Sequence, residues 1–270
     1  MNNIKQLIRS RRSVRTYDGK PLYKSITDRL MSYASTIENP FDIPVEFRLL
    51  DAKEHGLVCP VVVGTDLYVG GKVKNVPNAS AAFGYSFEKF VLYALSLDLG
   101  TVWLGGTMNR PAFEKAMELS EDEIMPCATP IGYISKKMSM RESIMRKTIK
   151  ADERLPFEEL FFIGSPATPL TREKSGKLYE PLEMVRLAPS AVNKQPWRVI
   201  VTDSTAHFYL KRSPGFSRSS TLDMQMVDVG IAMCHFALTA EENGLNIKSS
   251  QKDPDIPAPD MHYIASYEIV

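Results

Sequence analysis

The chain has 270 residues, with 33 Lys and Arg against 32 Asp and Glu, and a formal charge of +1. Hydrophobic residues make up 44% and charged ones 24%, the mix of an ordinary globular protein long enough for one large domain or two small ones. Near-neutrality argues against a coat on nucleic acid or an anionic membrane, both of which need excess Lys and Arg, so neither partner is expected.

In chain order, residues 2–15 read as a short amphipathic helix with Ile4, Leu7 and Ile8 on one side. A basic turn follows, and residues 17–21 carry turn chemistry. A helix is predicted over 25–35, and strands over 45–50 and 57–65, the second almost wholly apolar. Residues 81–99 form the clearest helix, because Phe83, Phe87, Phe90, Val91, Ala94 and Leu95 recur at three-and-four spacing and Gly100 supplies the stop. A short strand over 101–107, a helix over 110–119 and a strand over 129–134 come next. Residues 136–154, basic and Met-rich, read as a surface connection. Beyond it the spacing predicts a helix over 181–187, a loop over 188–197 and strands over 198–203 and 207–211. A helix over 227–243, with Val227, Ile231, Cys234 and Leu238 inward, and a strand over 262–270 complete the chain.

The three cysteines (Cys59, Cys127, Cys234) and four histidines are scattered, without the spacing of a disulfide framework or a metal site. No apolar segment follows the basic start as in a signal peptide, and no apolar run approaches the roughly 18 residues of a membrane helix. A cytoplasmic protein without a metal is expected.

An internal repeat is visible. LYALSLDLG (92–100) lies over FALTAEENG (236–244), YASTIEN (33–39) over LAPSAVN (187–193), and TPIGYIS (129–135) resembles HYIASYE (262–268). Two α/β halves, 1–160 and 161–270, would then make one composite domain of the α+β class. A doubled chain can imitate a homodimer, with a site between its halves.

Three motifs carry candidate chemistry. Arg11, Arg12, Ser13 and Arg15 cluster guanidiniums and a hydroxyl at a helix end, suited to clamping a phosphate; in isolation such a run is more often a solvated basic face. Pro189, Ser190, Ala191, Asn193 and Gln195 lie in a proline-flanked loop offering hydroxyl, amide and backbone groups to a flat ligand, or simply making a turn. Leu104, Gly105 and Gly106 follow Trp103, and paired glycines leave backbone N–H groups bare. Trp197 and His235 read as packing residues. Neither a GxGxxG nor a Walker-type pattern is present.

RRSVRTYDGKPL (11–22), LGTVWLGG (99–106), RLPFEEL (154–160) and APSAVNKQPWRVIV (188–201) together resemble the nitroreductase-like family of FMN-dependent oxidoreductases. The APSAVNKQPW element follows RRSVR far later than in ordinary members, so the resemblance is to the single-chain, internally doubled branch. It implies one FMN between the halves. Arg11, Arg12, Ser13 and Arg154 would serve the phosphate and ribityl end, and Arg15 the pyrimidine edge. Leu104, Gly105 and Gly106 would line the ring system, and Pro189, Ser190, Ala191, Asn193 and Gln195 would come from the other half. The opposite junction has lost its counterparts: SPATP (165–169) lacks a cation, residues 35–39 carry Glu38, and 247–250 lack glycines. The resemblance further implies ping-pong hydride transfer from NAD(P)H to a small-molecule acceptor (nitroaromatic, quinone or flavin), no protein nucleophile, and a monomer that acts as a pseudo-dimer. A flavin-storage protein and a specialised, dehalogenase-like reductase stay open as alternatives.

Overall fold

The computed structural model describes residues 1–214 and 222–270, the side chain of Arg141 excepted. Helices α1 (Ile4–Ser10) and α2 (Lys24–Ala34) lead into β1 (Val45–Asp51), the one-turn α3 (Ala52–His55) and β2 (Leu67–Lys74). Then come α4 (Ala79–Ser96), β3 (Leu99–Gly100), α5 (Arg110–Ala116), β4 (Glu123–Ile124), β5 (Ala128–Pro130) and β6 (Gly132–Tyr133). Helices α6 (Met140–Thr148) and α7 (Phe157–Leu160) precede β7 (Phe161–Ile163), α8 (Tyr179–Arg186), β8 (Trp197–Thr202) and β9 (Thr205–Lys211). The chain ends with α9 (Met224–Glu242), β10 (Ile247–Ser250) and β11 (Met261–Ile269).

The strands form two main antiparallel sheets. β1, β4 and β5 all pair with β2, whereas the other sheet runs β10-β11-β9-β8-β7, with only β7 parallel to its neighbour. Between them lie α4 and α9. Both helices are buried nearly all round, α9 from Gln225 to Ala240, so the inward stripe expected of α9 is replaced by apolar contact on every side. Phe83, Phe87 and Phe90 of α4 and Phe236 of α9 are fully buried, each stabilising the fold by about 1.5–3 kcal/mol.

The two helices cross through a reciprocal pair of glycines. A methyl group on Gly84 would strike the Val227 carbonyl, and one on Gly230 would strike the Ala81 carbonyl. Both pairs share one offset (230 − 84 and 227 − 81 each give 146). This is the self-complementary geometry of a two-fold contact, here within one chain.

Residues 57–65 do not form the predicted strand. Val62 N–H turns back to the Cys59 carbonyl around Pro60, and Gly64 has φ +86 where any side chain would strike the Tyr17 carbonyl. The strand is β2, hidden in the sequence by Gly70-Gly71. Those glycines leave room for the Met117 side chain and for the Phe83 and Phe87 rings on the sheet. Residues 101–107 make only isolated bridges, Ser13 to Thr101 and Leu104 to Ala128. The basic connection is no simple surface linker: it contains α6, from which Glu142 is buried. Among the described residues no helix is long and apolar enough to cross a membrane.

Candidate functional site

Helix α1 sets the first motif. Its buried Ile4 and Ile8 hold it to the core, and its first amide N–H groups, of Ile4 and Lys5, donate to the Glu242 carboxylate at the end of α9. Arg11 follows immediately, its amide closing the helix on the Leu7 carbonyl. Residues 13–17 then run extended: Val14 N–H donates to Thr101, Tyr17 N–H to Val63, and Val63 N–H to Arg15. Alternation sends Val14 into the core and leaves Arg11 and Ser13 at the rim of a cleft.

That cleft, of about 60 Å3, gathers Arg11, Arg12, Ser13 and Arg154 with Pro189, Ser190 and Asn193. Residues far apart in sequence from two of the three motifs thus share one wall. Arg15, Leu104, Gly105, Gly106, Ala191 and Gln195 do not line it. Leu104 is buried against Ala128, while Gly105 packs near Met224 and Cys127, and Gly106 is exposed with open space around its α-carbon.

The cations are crowded, and three of them keep buried nitrogens without a partner, although the Arg154 Nη groups donate to the Ala151, Glu153 and Leu187 carbonyls. Arg11 Nε, Arg15 Nε and Nη1, and Arg154 Nε are all buried without a hydrogen bond. Burial lowers the Arg11 guanidinium below its usual range; Glu88 opposes this from 4.0 Å and Arg146 adds to it. Burial also lowers Arg15, against the pull of Glu142. Arg154 falls to about 10, through burial and then through repulsion by Arg11. In the cleft itself, the unpartnered Nε of Arg11 and of Arg154 and the repulsion between these two guanidiniums favour an anion, with Asp152 as the carboxylate already in the wall.

The 188–197 loop is strained. Val192, Asn193 and Gln195 have φ of 43°, 57° and 48°, left-handed values that cost about 1–3 kcal/mol each in residues with a side chain. Tertiary bonds hold it there. Asp228 of α9 accepts the Ala191 N–H on both oxygens (3.0 and 3.2 Å), and Ser190 Oγ accepts the Gln195 N–H. Gln195 Oε1 accepts the Leu155 N–H, and the Asn193 amide donates to the Lys150 and Glu153 carbonyls. Asn193 and Gln195 therefore tie the basic connection to the loop.

Residues 3–240 match a family model described as "Putative TM nitroreductase". The chain belongs to that nitroreductase family. Among solved structures it is similar to one described as a nitroreductase of Thermotoga maritima, at 18% identity and a TM-score of 0.64, covering 99% of this chain and 94% of that one. A nitroreductase family protein of Clostridium difficile gives 15% identity and a TM-score of 0.45, covering 59% of this chain and 96% of its own. An FMN-dependent nitroreductase of the same species gives 17% and 0.42 over 52% and 94%. No curated protein matches. The family assigns the chain to the oxidoreductases, on a mixed α and β fold.

In this member of the family, three buried carboxyls escaped the reading of the sequence. Glu88 of α4 accepts the Trp103 Nε1–H at 3.0 Å and meets His235 Nε2 at 2.9 Å, while His235 Nδ1 reaches the Met184 carbonyl. His235 is a core residue, as its helical position suggested, and so is Trp197. Asp228 is pushed well above the usual carboxylate range by burial. Glu142 reaches from α6 to Arg12 and to the backbone of Arg15. Each stands in a helix of unremarkable composition, and only the tertiary fold brings it to the motifs.

Proposed function

We propose that the chain is an FMN-dependent oxidoreductase taking electrons from NAD(P)H and passing them to a nitroaromatic, quinone or flavin acceptor. The observation that carries this reading is the cleft that brings Arg11 and Arg154 together, each with a buried Nε that has no partner, next to the buried Arg15 of the same motif, whose Nε and Nη1 also lack one. A phosphate monoester suits them: its charge offsets their repulsion, and its oxygens accept guanidinium hydrogens in pairs. When bound, FMN would supply the two-electron chemistry, which the side chains themselves do not provide.

The protein's part is position and electrostatics. Arg11 and Arg154 would hold the phosphate and Ser13 the ribityl chain, with Arg12 at the half-exposed rim. Arg15, 9% exposed, would present a fixed positive charge to the pyrimidine edge, and charge acts more strongly where water is scarce. Pro189, Ser190 and Ala191, kept in place through Asp228, would meet the ring system together with Leu104, Gly105 and Gly106. Asn193 and Gln195 would act by bracing this loop. Asp228, whose carboxyl is pushed well above the usual range by burial, anchors the loop through the Ala191 N–H.

On the same reading, residues 1–160 and 161–270 are halves of one duplicated domain, and the molecule is a monomer with the symmetry of a dimer. The reciprocal Gly84 and Gly230 contacts support this. Three buried free thiols suit the reducing cytoplasm. Anaerobic addition of NADH or NADPH to the purified yellow protein tests the activity. Bleaching of the flavin, restored by a nitroaromatic or quinone with formation of its reduced product, is expected. A flavin that neither donor bleaches would contradict turnover and leave a binding protein.

A further inference from the structure

We propose that α6 is an internal plug: Glu142 holds, in the flavin-free protein, the place and the donors that FMN takes over, and FMN binding drives α6 out. This rests on the FMN reading above and concerns its regulation. Glu142 is 2% exposed and the one fully buried side chain among the described residues of α6. Its carboxylate accepts hydrogen bonds from Arg12 Nη1 (3.2 Å), the Arg15 N–H (3.1 Å) and the Thr16 hydroxyl (2.9 Å). An anion from the connection thus sits on the motif expected to receive an anionic ligand.

The helix is inside out for a permanent surface element. Its charged Glu142 points inward, whereas Met140 and Ile144 are 82% and 59% exposed. Ordinary amphipathic helices bury the apolar side, since burial of a charge costs free energy that apolar burial would return. Detaching α6 therefore gives up Glu142's bonds and little apolar packing. Sequence points the same way: Ser139 caps α6 by accepting the Glu142 N–H, a box in which Glu142 ordinarily reaches back to the cap's own amide. Here the Ser139 amide donates to Thr16 Oγ1, and the carboxylate is turned onto Arg12, the Arg15 N–H and the Thr16 hydroxyl.

Space and charge complete the case. The cleft of about 60 Å3 is far below the roughly 300–1,000 Å3 of small-ligand pockets, and Arg146 and Ile149, from α6 and its end, form part of its wall. Glu142 leaves Arg15 Nε and Nη1 without partners although Arg15 is nine-tenths buried. It is an incomplete substitute for a ligand that could engage those donors as well.

The test uses the full-length chain freed of flavin, titrated with FMN while flavin fluorescence is followed, in the wild type and in Glu142→Gln. A thermal melt establishes that the variant is folded. The variant is expected to bind FMN at least ten-fold more tightly. In the wild type, saturating FMN is expected to raise amide hydrogen exchange of residues 140–149 at least five-fold, where a ligand covered by a fixed helix would slow it. Equal or weaker FMN binding by Glu142→Gln overturns the plug. So does tighter binding with slowed exchange in α6, which would make Glu142 a through-space charge only. Absence of FMN binding in both proteins overturns the functional reading itself, and the plug with it.

Discussion

Arg15 joins two properties rarely found together: it is nine-tenths buried, and two of its guanidinium nitrogens have no partner. If it faces bound flavin, Arg15→Ala removes a charge-assisted contact worth about 1.5–3 kcal/mol. FMN dissociation constants measured by fluorescence titration should then rise ten- to a hundred-fold, and an unchanged affinity would contradict the role. Asp228 makes a prediction about pH. Burial raises its pKa in the folded state, so the folded protein binds a proton that the unfolded chain releases above about pH 4. The associated stability is fully present below that pH and is lost as pH rises toward the folded value. Asp228→Asn keeps an oxygen for the Ala191 N–H but has no proton to hold. The variant should gain stability relative to wild type as pH is raised from about 4 toward neutral. Chemical denaturation at both ends of the range checks the sign.

At the scale of elements, the crossing of α4 and α9 is the least forgiving contact. Gly84→Ala and Gly230→Ala each force a methyl group against a backbone carbonyl in a helix that cannot yield as a side chain would. Each should destabilise the fold by about 3 kcal/mol, the upper part of the range for overpacking, as read from urea unfolding. These glycines were legible in the sequence only as helix residues, because their reason lies on the partner helix. Similar logic separates what the sequence revealed from what it hid. The motifs around Arg11 and Pro189 are contiguous runs, so each could be read from its own residues, and the long apolar helices announce themselves by spacing. The strand β2 was not among those predicted, because its Gly70 and Gly71 answer to the Met117 side chain and to the Phe83 and Phe87 rings of α4, which lie elsewhere in the chain. The basic composition of 136–154 concealed α6, whose one buried side chain among the described residues is the carboxyl of Glu142. Arg15 was found as a motif residue, but its partner Glu142 lies 127 positions away, beyond any local pattern.

For the whole molecule, the arrangement is one sheet from residues 45–130, another from 161–269, and two helices crossing between them with matched glycines. The cleft draws Arg11, Arg12 and Ser13 from the first part and Pro189, Ser190 and Asn193 from the second. On the proposed reading, a site built this way needs no second chain. The protein should therefore elute and sediment as a monomer of 30.3 kDa with its flavin in place; a stable dimer that loses flavin on dilution would contradict this. The most direct test of the central claim is the ratio of FMN to polypeptide in protein reconstituted with excess FMN and freed of unbound flavin. One FMN per chain, falling toward none in Arg11→Ala, is the predicted result. No retained flavin, or two per chain, would contradict a single site shared between the two parts of the molecule.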